Sequence, residues 1–374
     1  MDAMDVDRDL VARVALAQPS ARTTGWRVES IPNPHGTPTT ESLERVAGTA
    51  RVNGAELSFT AVGKTVRSIR HFPSVAALPP EVQAAADAML PWRVEPEVYA
   101  SGLHGSLPDE LSAPRLYAIE ELAGDRARIW MEDVAGPPIT WGVTAYTNAA
   151  YALGRLAGRY PADAIPWVFT PMVRDLHGYV DGRLAQAVVP QLTNEATWSH
   201  PVVRRTVDAG LRADLMALWD RAHDLVRLLD SLPWSLVHGD ACPQNLFRAR
   251  EGDGFVLIDW GLTGIGVVGT DLAQLLAGRV QSGDLDVAEL PAIELAVKHA
   301  YGRGVDREGT GVTTIDLARA LDVSLVVGCA FTAIPVERLP PPDAPADPEI
   351  LEFFDKRARW ARMLVDRGHG VLSH

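Results

Sequence analysis

The chain has 374 residues, 47% of them hydrophobic, enough for two domains or one large one with a sizeable core. A formal net charge of −13 argues against a nucleic-acid partner, whose phosphates would be repelled. The first residues, Met-Asp-Ala-Met-Asp-Val-Asp, are acidic where a signal peptide would be basic. The longest uncharged apolar stretch, Val323 to Val336, is broken by Pro335 and too short for a bilayer, so it reads as a buried helix and no membrane partner is expected. Cys242 and Cys329 form neither a disulfide framework nor a metal-ligand spacing, which fits a cytoplasmic location.

In chain order, residues 1–24 read as an N-terminal extension, with a short helix and a tether up to about residue 22. Strands follow over Trp26 to Ile31, Leu43 to Val52 and Glu56 to Arg67, the last two joined by the hairpin pair Asn53-Gly54. Val82 to Met89 and Pro96 to Gly102 read as helical pieces, and Pro114 to Glu120 and Arg128 to Met131 as two further strands. After Gly136-Pro137-Pro138 the pattern turns to amphipathic helices: Ala145–Tyr160, Val173–Leu192, Val202–Leu232, Leu272–Ala277, Leu290–Gly302, Thr314–Phe331 and Glu349–Asp366. Short strands interrupt them at Ser235–Val237, Leu246–Ala249 and Phe255–Asp259. The reading is α+β, with a β-rich lobe over 25–134 and a mainly helical lobe over 135–374.

Chemistry concentrates between His238 and Asp259. Asp240, Asn245 five residues later and Asp259 at the end of the next apolar run give the acid–amide–acid spacing that Mg-assisted phosphoryl transfer requires. Asp240 is the expected base, and Asn245 and Asp259 the expected Mg²⁺ ligands, because a hard cation takes a few protein oxygens and completes its shell with phosphate and water. An aspartate after a strand commonly just caps a turn; it is the combined spacing that favours function. His238 is expected to shape the loop through backbone hydrogen bonds, and Cys242 to pack without reacting.

Of 35 basic residues only Lys64, Lys298 and Lys356 are lysine. Lys64, on the third strand, is the expected phosphate-gripping cation. Glu97 is its best-placed carboxylate partner, with Glu95 the alternative. The run Gly264-Ile-Gly-Val-Val-Gly269, with Asp286 beyond it, matches the dinucleotide-binding pattern, but it lacks a strand directly before it and a second strand after it. A glycine-rich loop is expected there instead.

These residues resemble the aminoglycoside phosphotransferase family, small-molecule kinases with a protein-kinase-like, two-lobed fold. His238-Gly-Asp240 with Pro243 and Asn245 is similar to that family's catalytic loop, and Ile258-Asp259-Trp260 to its metal-binding segment. Gly269-Thr-Asp271-Leu-Ala resembles its bracing aspartate at a helix start, and Ala113-Pro-Arg-Leu-Tyr with Trp130-Met-Glu-Asp-Val134 resembles the strands leading to its hinge. The resemblance implies that the backbone of Glu132 to Val134 binds adenine, with Met131 behind it. No protein-kinase glycine motif precedes Lys64, and the turn Asn33 to Thr40, with Gly36, is expected to take the phosphate-loop role.

The expectation is therefore a kinase that moves the γ-phosphate of ATP or GTP, with Mg²⁺, to a small-molecule hydroxyl. The acceptor class runs from an aminoglycoside or other natural product, with antibiotic resistance as the corresponding role, through metabolites to a Ser/Thr side chain of a peptide. Asp175, Asp181 and Glu352 are expected to meet a cationic acceptor. A non-catalytic nucleotide-binding pseudokinase is the alternative from another class.

Overall fold

A computed structural model describes residues 7–32, 38–134, 136, 138–167, 175–250, 252–345 and 347–373. Among them lie the strands β1 (Arg22–Ser30), β2 (Thr40–Val52), β3 (Ala55–Arg67), β4 (Leu111–Ser112), β5 (Leu116–Leu122), β6 (Arg126–Met131), β7 (Trp234–Val237), β8 (Leu246–Arg248), β9 (Phe255–Leu257) and β10 (Gly264–Val267). The chain divides into two compact units. The first takes the residues up to Pro138 and Phe247–Leu262, with Trp167; the second takes the rest, including Val173–Leu246 and Thr263–His374.

The first unit is built on a five-stranded antiparallel sheet in the order β1-β2-β3-β6-β5. Asn53 and Gly54 both hold positive φ, 49° and 87°, and so make the tight β2–β3 turn whose twist matches the flanking strands. Alternation along β2 and β3 puts Val46, Ala50, Val52, Phe59 and Ala61 on one face with Trp130. The helix Arg8–Leu16 covers that face through Val11 and Ala12. It is thus part of the sheet's core rather than an extension, and β1 begins at Arg22. Gly63 is required within β3 because the Trp130 ring would lie 2.8 Å from any Cβ there.

Two features of this unit escape a strand-by-strand reading of the sequence. A small sheet in the order β4-β9-β8 pairs β4 in parallel with β9. Residues 247–262 therefore belong with the first unit, although the expected boundary leaves them in the second lobe. A two-residue strand such as Leu111–Ser112 has too few positions to show alternation.

The second unit is mainly helical. Helices Val143–Arg159 and Leu290–Arg307 pack at glycines: a Cβ on Gly154 would come within 2.2 Å of the Tyr301 carbonyl oxygen, and one on Gly304 within 2.3 Å of the Tyr151 carbonyl oxygen. The helix expected over 202–232 is three pieces, Pro201–Thr206, Leu211–Trp219 and Ala222–Arg227. The first break is a local competition for the backbone, since the Asp208 carboxylate accepts the Gly210 N–H at 3.0 Å. The helix expected over 314–331 ends in a π-helical stretch, Val326–Ala330, and Val180–Val188 is a second. The last helix, Pro348–Leu372, buries Phe354, Trp360 and Leu364.

The segment Gly264–Val267, expected as a loop, is β10, antiparallel to β7. A Cβ on Gly266 would sit 2.9 Å from a Val237 methyl, so strand packing explains that glycine, and φ of +103° explains Gly269. Asp286 caps the turn Val287–Glu289 through the Ala288 N–H at 2.9 Å. Among the described residues no parallel β-α-β unit surrounds this glycine run, and the dinucleotide reading falls with it.

Candidate active site

In the first unit, Lys64 lies in the middle of β3, in register with Leu43 on β2 and Ile129 on β6. Its Nζ is 2.6 Å from Glu95 Oε2 and 2.7 Å from Asp259 Oδ1. Burial opposes the ammonium charge, but the carboxylates of Glu95 and then Asp259 outweigh it and hold the Lys64 pKa above the ordinary lysine value. Burial pushes Glu95 the other way, upward, against the pull of Lys64. With the cation so strongly held, we take the pair as ionised.

Glu95, not Glu97, is the partner. Helix Val94–Ala100 begins two residues before the expected start, with Pro96 in its first turn, where a missing N–H costs nothing. Residues two apart on a helix point roughly 200° apart, so Glu95 turns inward and Glu97 outward, where it pairs with Arg93 at 3.6 Å. Glu95 also accepts the backbone N–H of Trp260.

Asp259 follows β9 with φ of 62°, a left-handed conformation that aspartate tolerates better than most residues. Behind it the Trp260 indole N–H donates to the Leu257 carbonyl at 2.8 Å. Met131 is buried and accepts a hydrogen bond on Sδ from the Tyr99 hydroxyl at 3.4 Å. The Glu132 N–H is spent on the Arg115 carbonyl at 2.9 Å, and the Asp133 carboxylate takes Arg45 Nε at 3.0 and 3.2 Å. Val134 is half-buried. Gly36, expected in the phosphate loop, lies outside the described residues.

In the second unit, β7 delivers His238, Gly239 and Asp240. Asp271, 2% exposed in the first turn of helix Asp271–Ser282, accepts the backbone N–H of His238 at 2.9 Å and of Gly239 at 2.8 Å. A negative charge is favoured at that helix end, and Gly239 needs its glycine for φ of 81°. The Asp240 N–H donates to His238 Nδ1 at 3.3 Å, the loop-shaping contact expected of this imidazole. Asn245, in the turn Pro243–Asn245, donates Nδ2–H to the Asp240 carbonyl at 2.9 Å and to its Oδ2 at 3.0 Å. Helix Asp271–Ser282 supports the loop again two turns on, where Gln244 donates to the Gly278 carbonyl at 3.2 Å.

In the second unit, Asn245, its NH₂ group committed to Asp240, keeps an amide oxygen of the kind a hard cation takes. In the first unit, the Asp259 carboxylate is 42% exposed. Among the described residues no cluster of three or more His, Cys, Asp or Glu could hold a metal ion. Of the acids expected to meet a cationic acceptor, Asp175 caps helix Leu176–Tyr179, Asp181 lies 3.3 Å from His223 and Glu352 pairs with Lys356 at 2.9 Å, the last two side chains being 68% exposed. No described helix is long and apolar enough to cross a membrane.

A family model described as the phosphotransferase enzyme family matches residues 71–310. The match covers well over half of the chain, and the chain belongs to that family. Membership makes it a phosphotransferase, and its described residues form an N-terminal antiparallel sheet and a mainly helical C-terminal part. Among solved structures, it is similar to the GDP complex of wild-type aminoglycoside 2'-phosphotransferase-IIIa, at 13% identity over 99% of each chain with a TM-score of 0.47. It is also similar to an aminoglycoside phosphotransferase from Alicyclobacillus acidocaldarius, at 14% identity over 100% of this chain and 97% of that one, with a TM-score of 0.47. A third is amicoumacin kinase hAmiN in complex with AMP-PNP, Ca²⁺ and Ami, at 11% identity over 97% and 94%, with a TM-score of 0.48. No curated protein matches the chain at a significant level.

Proposed function

We propose that the protein is a cytoplasmic kinase that transfers the γ-phosphate of ATP or GTP to a hydroxyl of an aminoglycoside-like or other natural-product or metabolite acceptor, in the manner of an antibiotic-resistance kinase. The observation that carries this reading is the Asp271-braced loop, in which Asn245 fixes both the backbone and the carboxylate of Asp240. A carboxylate locked in this way suits a base whose task is mainly to position a nucleophile.

Asp240 orients the acceptor hydroxyl and takes its proton as the new O–P bond forms and the bond to the leaving nucleoside diphosphate breaks. Lys64 holds donor phosphate oxygens, and Glu95 keeps the ammonium in place. The backbone of Glu132 to Val134 holds the base, with Met131 behind it. Asn245 in the second unit and Asp259 in the first would each offer an oxygen to Mg²⁺, which when bound would neutralise phosphate charge. Glu132 enters as an acceptor through its carbonyl, because its N–H is already used.

The test is phosphate transfer from labelled ATP and GTP over a panel of aminoglycosides, small alcohols and peptides. Asp240→Ala is expected to lower kcat by about 10²–10⁴-fold, the usual worth of a positioned base, with the melting temperature nearly unchanged. Transfer that survives this substitution sinks the assignment. Tight nucleotide binding with no turnover on any acceptor points to a pseudokinase instead.

A further inference from the structure

Arg45 lies on β2 in the cross-strand row Arg45–Val62–Met131, next to the row Leu43–Lys64–Ile129. Residues directly opposite one another across strands, and residues two apart along a strand, share a sheet face. Arg45 and Lys64 therefore project from the same face, the one opposite the helix Arg8–Leu16. Arg45 Nε nevertheless bonds both oxygens of Asp133, beyond the end of β6. Strands pack about 4.8 Å apart, which puts β2 and β6 about 10 Å apart, so the side chain must cross β3 at the level of Val62 to make this bond.

Holding a long side chain across a sheet costs rotamer freedom, and an ion pair with one half-exposed partner returns little stability. Arg45 is 46% exposed while Asp133 is 8% exposed. What the arrangement does secure is a planar cation on the Lys64 face of the sheet, in the cross-strand row of Val62 and bonded to Asp133 in the segment expected to hold the base. A guanidinium can lie flat on an aromatic ring and add planar stacking to the cation–π attraction that a lysine ammonium also makes.

Resting on the kinase reading above, we propose that Arg45 is a base-binding residue: pinned by Asp133, its guanidinium covers the purine of the donor while Lys64 holds the phosphates. Stacking does not distinguish adenine from guanine, so Arg45 serves either donor.

The test compares Mg-ATP and Mg-GTP with inorganic tripolyphosphate, which has phosphates and no base, by calorimetric titration of the full chain. Arg45→Ala is expected to weaken both nucleotides about tenfold and tripolyphosphate less than twofold. Arg45→Lys should fall between wild type and Arg45→Ala for the nucleotides, because it keeps the charge and loses the plane. Asp133→Asn, which preserves size, should weaken nucleotides about threefold and leave tripolyphosphate alone, and it serves if Arg45→Ala does not fold. Equal losses for nucleotide and tripolyphosphate, or a lowered melting temperature with nucleotide affinity intact, overturn the proposal. A wild-type protein that binds neither nucleotide overturns the kinase reading itself.

Discussion

Lys64 carries the electrostatics of the first unit: a buried ammonium shared by two carboxylates that approach from a helix and from the turn after β9. Under the role proposed for Lys64, removing charge from one partner should be felt at the donor phosphates, because the lysine would then be drawn toward the other. Glu95→Gln is expected to lower kcat/KM by about tenfold or more, about 1.4 kcal/mol of transition-state stabilisation. Glu97→Gln, two residues on and facing Arg93, should stay within about twofold of wild type. Steady-state kinetics on both variants decide it, and equal losses would return the role to Glu97. Lys298 and Lys356 need no such account, since each is held by a glutamate one helical turn away, Glu294 and Glu352.

At the scale of elements, the glycines where helices Val143–Arg159 and Leu290–Arg307 meet set how closely the two backbones approach. Gly154→Ala would drive its methyl against the Tyr301 carbonyl oxygen and should destabilise the protein by about 1–3 kcal/mol, as overpacking does. Gly178→Ala, with open space around it, should not. Chemical denaturation of both variants checks the contrast. The same scale shows what the sequence makes legible. The hairpin at Asn53-Gly54 and the loop from His238 to Asn245 are local patterns that could be read, whereas Asp271, which bonds residues 32 and 33 positions away, is legible only through the family resemblance. The Glu95 partnership hinges on where a helix begins, and Pro96 marks that start ambiguously. Pairing of β4 with β9 joins residues more than 140 positions apart with almost no periodic signal. The two π-helical stretches show the same apolar spacing as α-helix, and the strand Gly264–Val267 is hidden by its own glycines.

For the whole molecule, acid sensitivity should arise in part from paired carboxylates in the helical unit. Glu308 is bonded by Arg155 at 2.6 Å and Arg159 at 3.1 Å. Burial acts to raise its pKa, but the two guanidinium groups outweigh that and leave it below the ordinary glutamate value. Glu294, between Lys298 and Arg367, is lowered in the same way. A depressed carboxylate adds stability that is full above the unfolded value, about 4.3, and is lost as the pH falls through the folded value. Melting temperature should therefore drop below about pH 4.3, and Glu308→Gln should flatten that drop while costing stability at neutral pH. An acid limb of unchanged steepness in the variant would place the sensitivity elsewhere.

The assignment of Phe247–Leu262 to the first unit bears on how such a chain can exchange parts with its relatives. The lysine, its glutamate and the Asp259 carboxylate are one packed ensemble drawn from three distant stretches of sequence. A single crossover near residue 138 would import a foreign aspartate turn against a resident Lys64–Glu95 pair, and would strand β4 beside a β9 it did not evolve with. Inheritance of the Lys64–Glu95–Asp259 ensemble requires more than one exchange, and one of them must carry a sixteen-residue cassette, Phe247–Leu262, lifted out of the middle of the helical half.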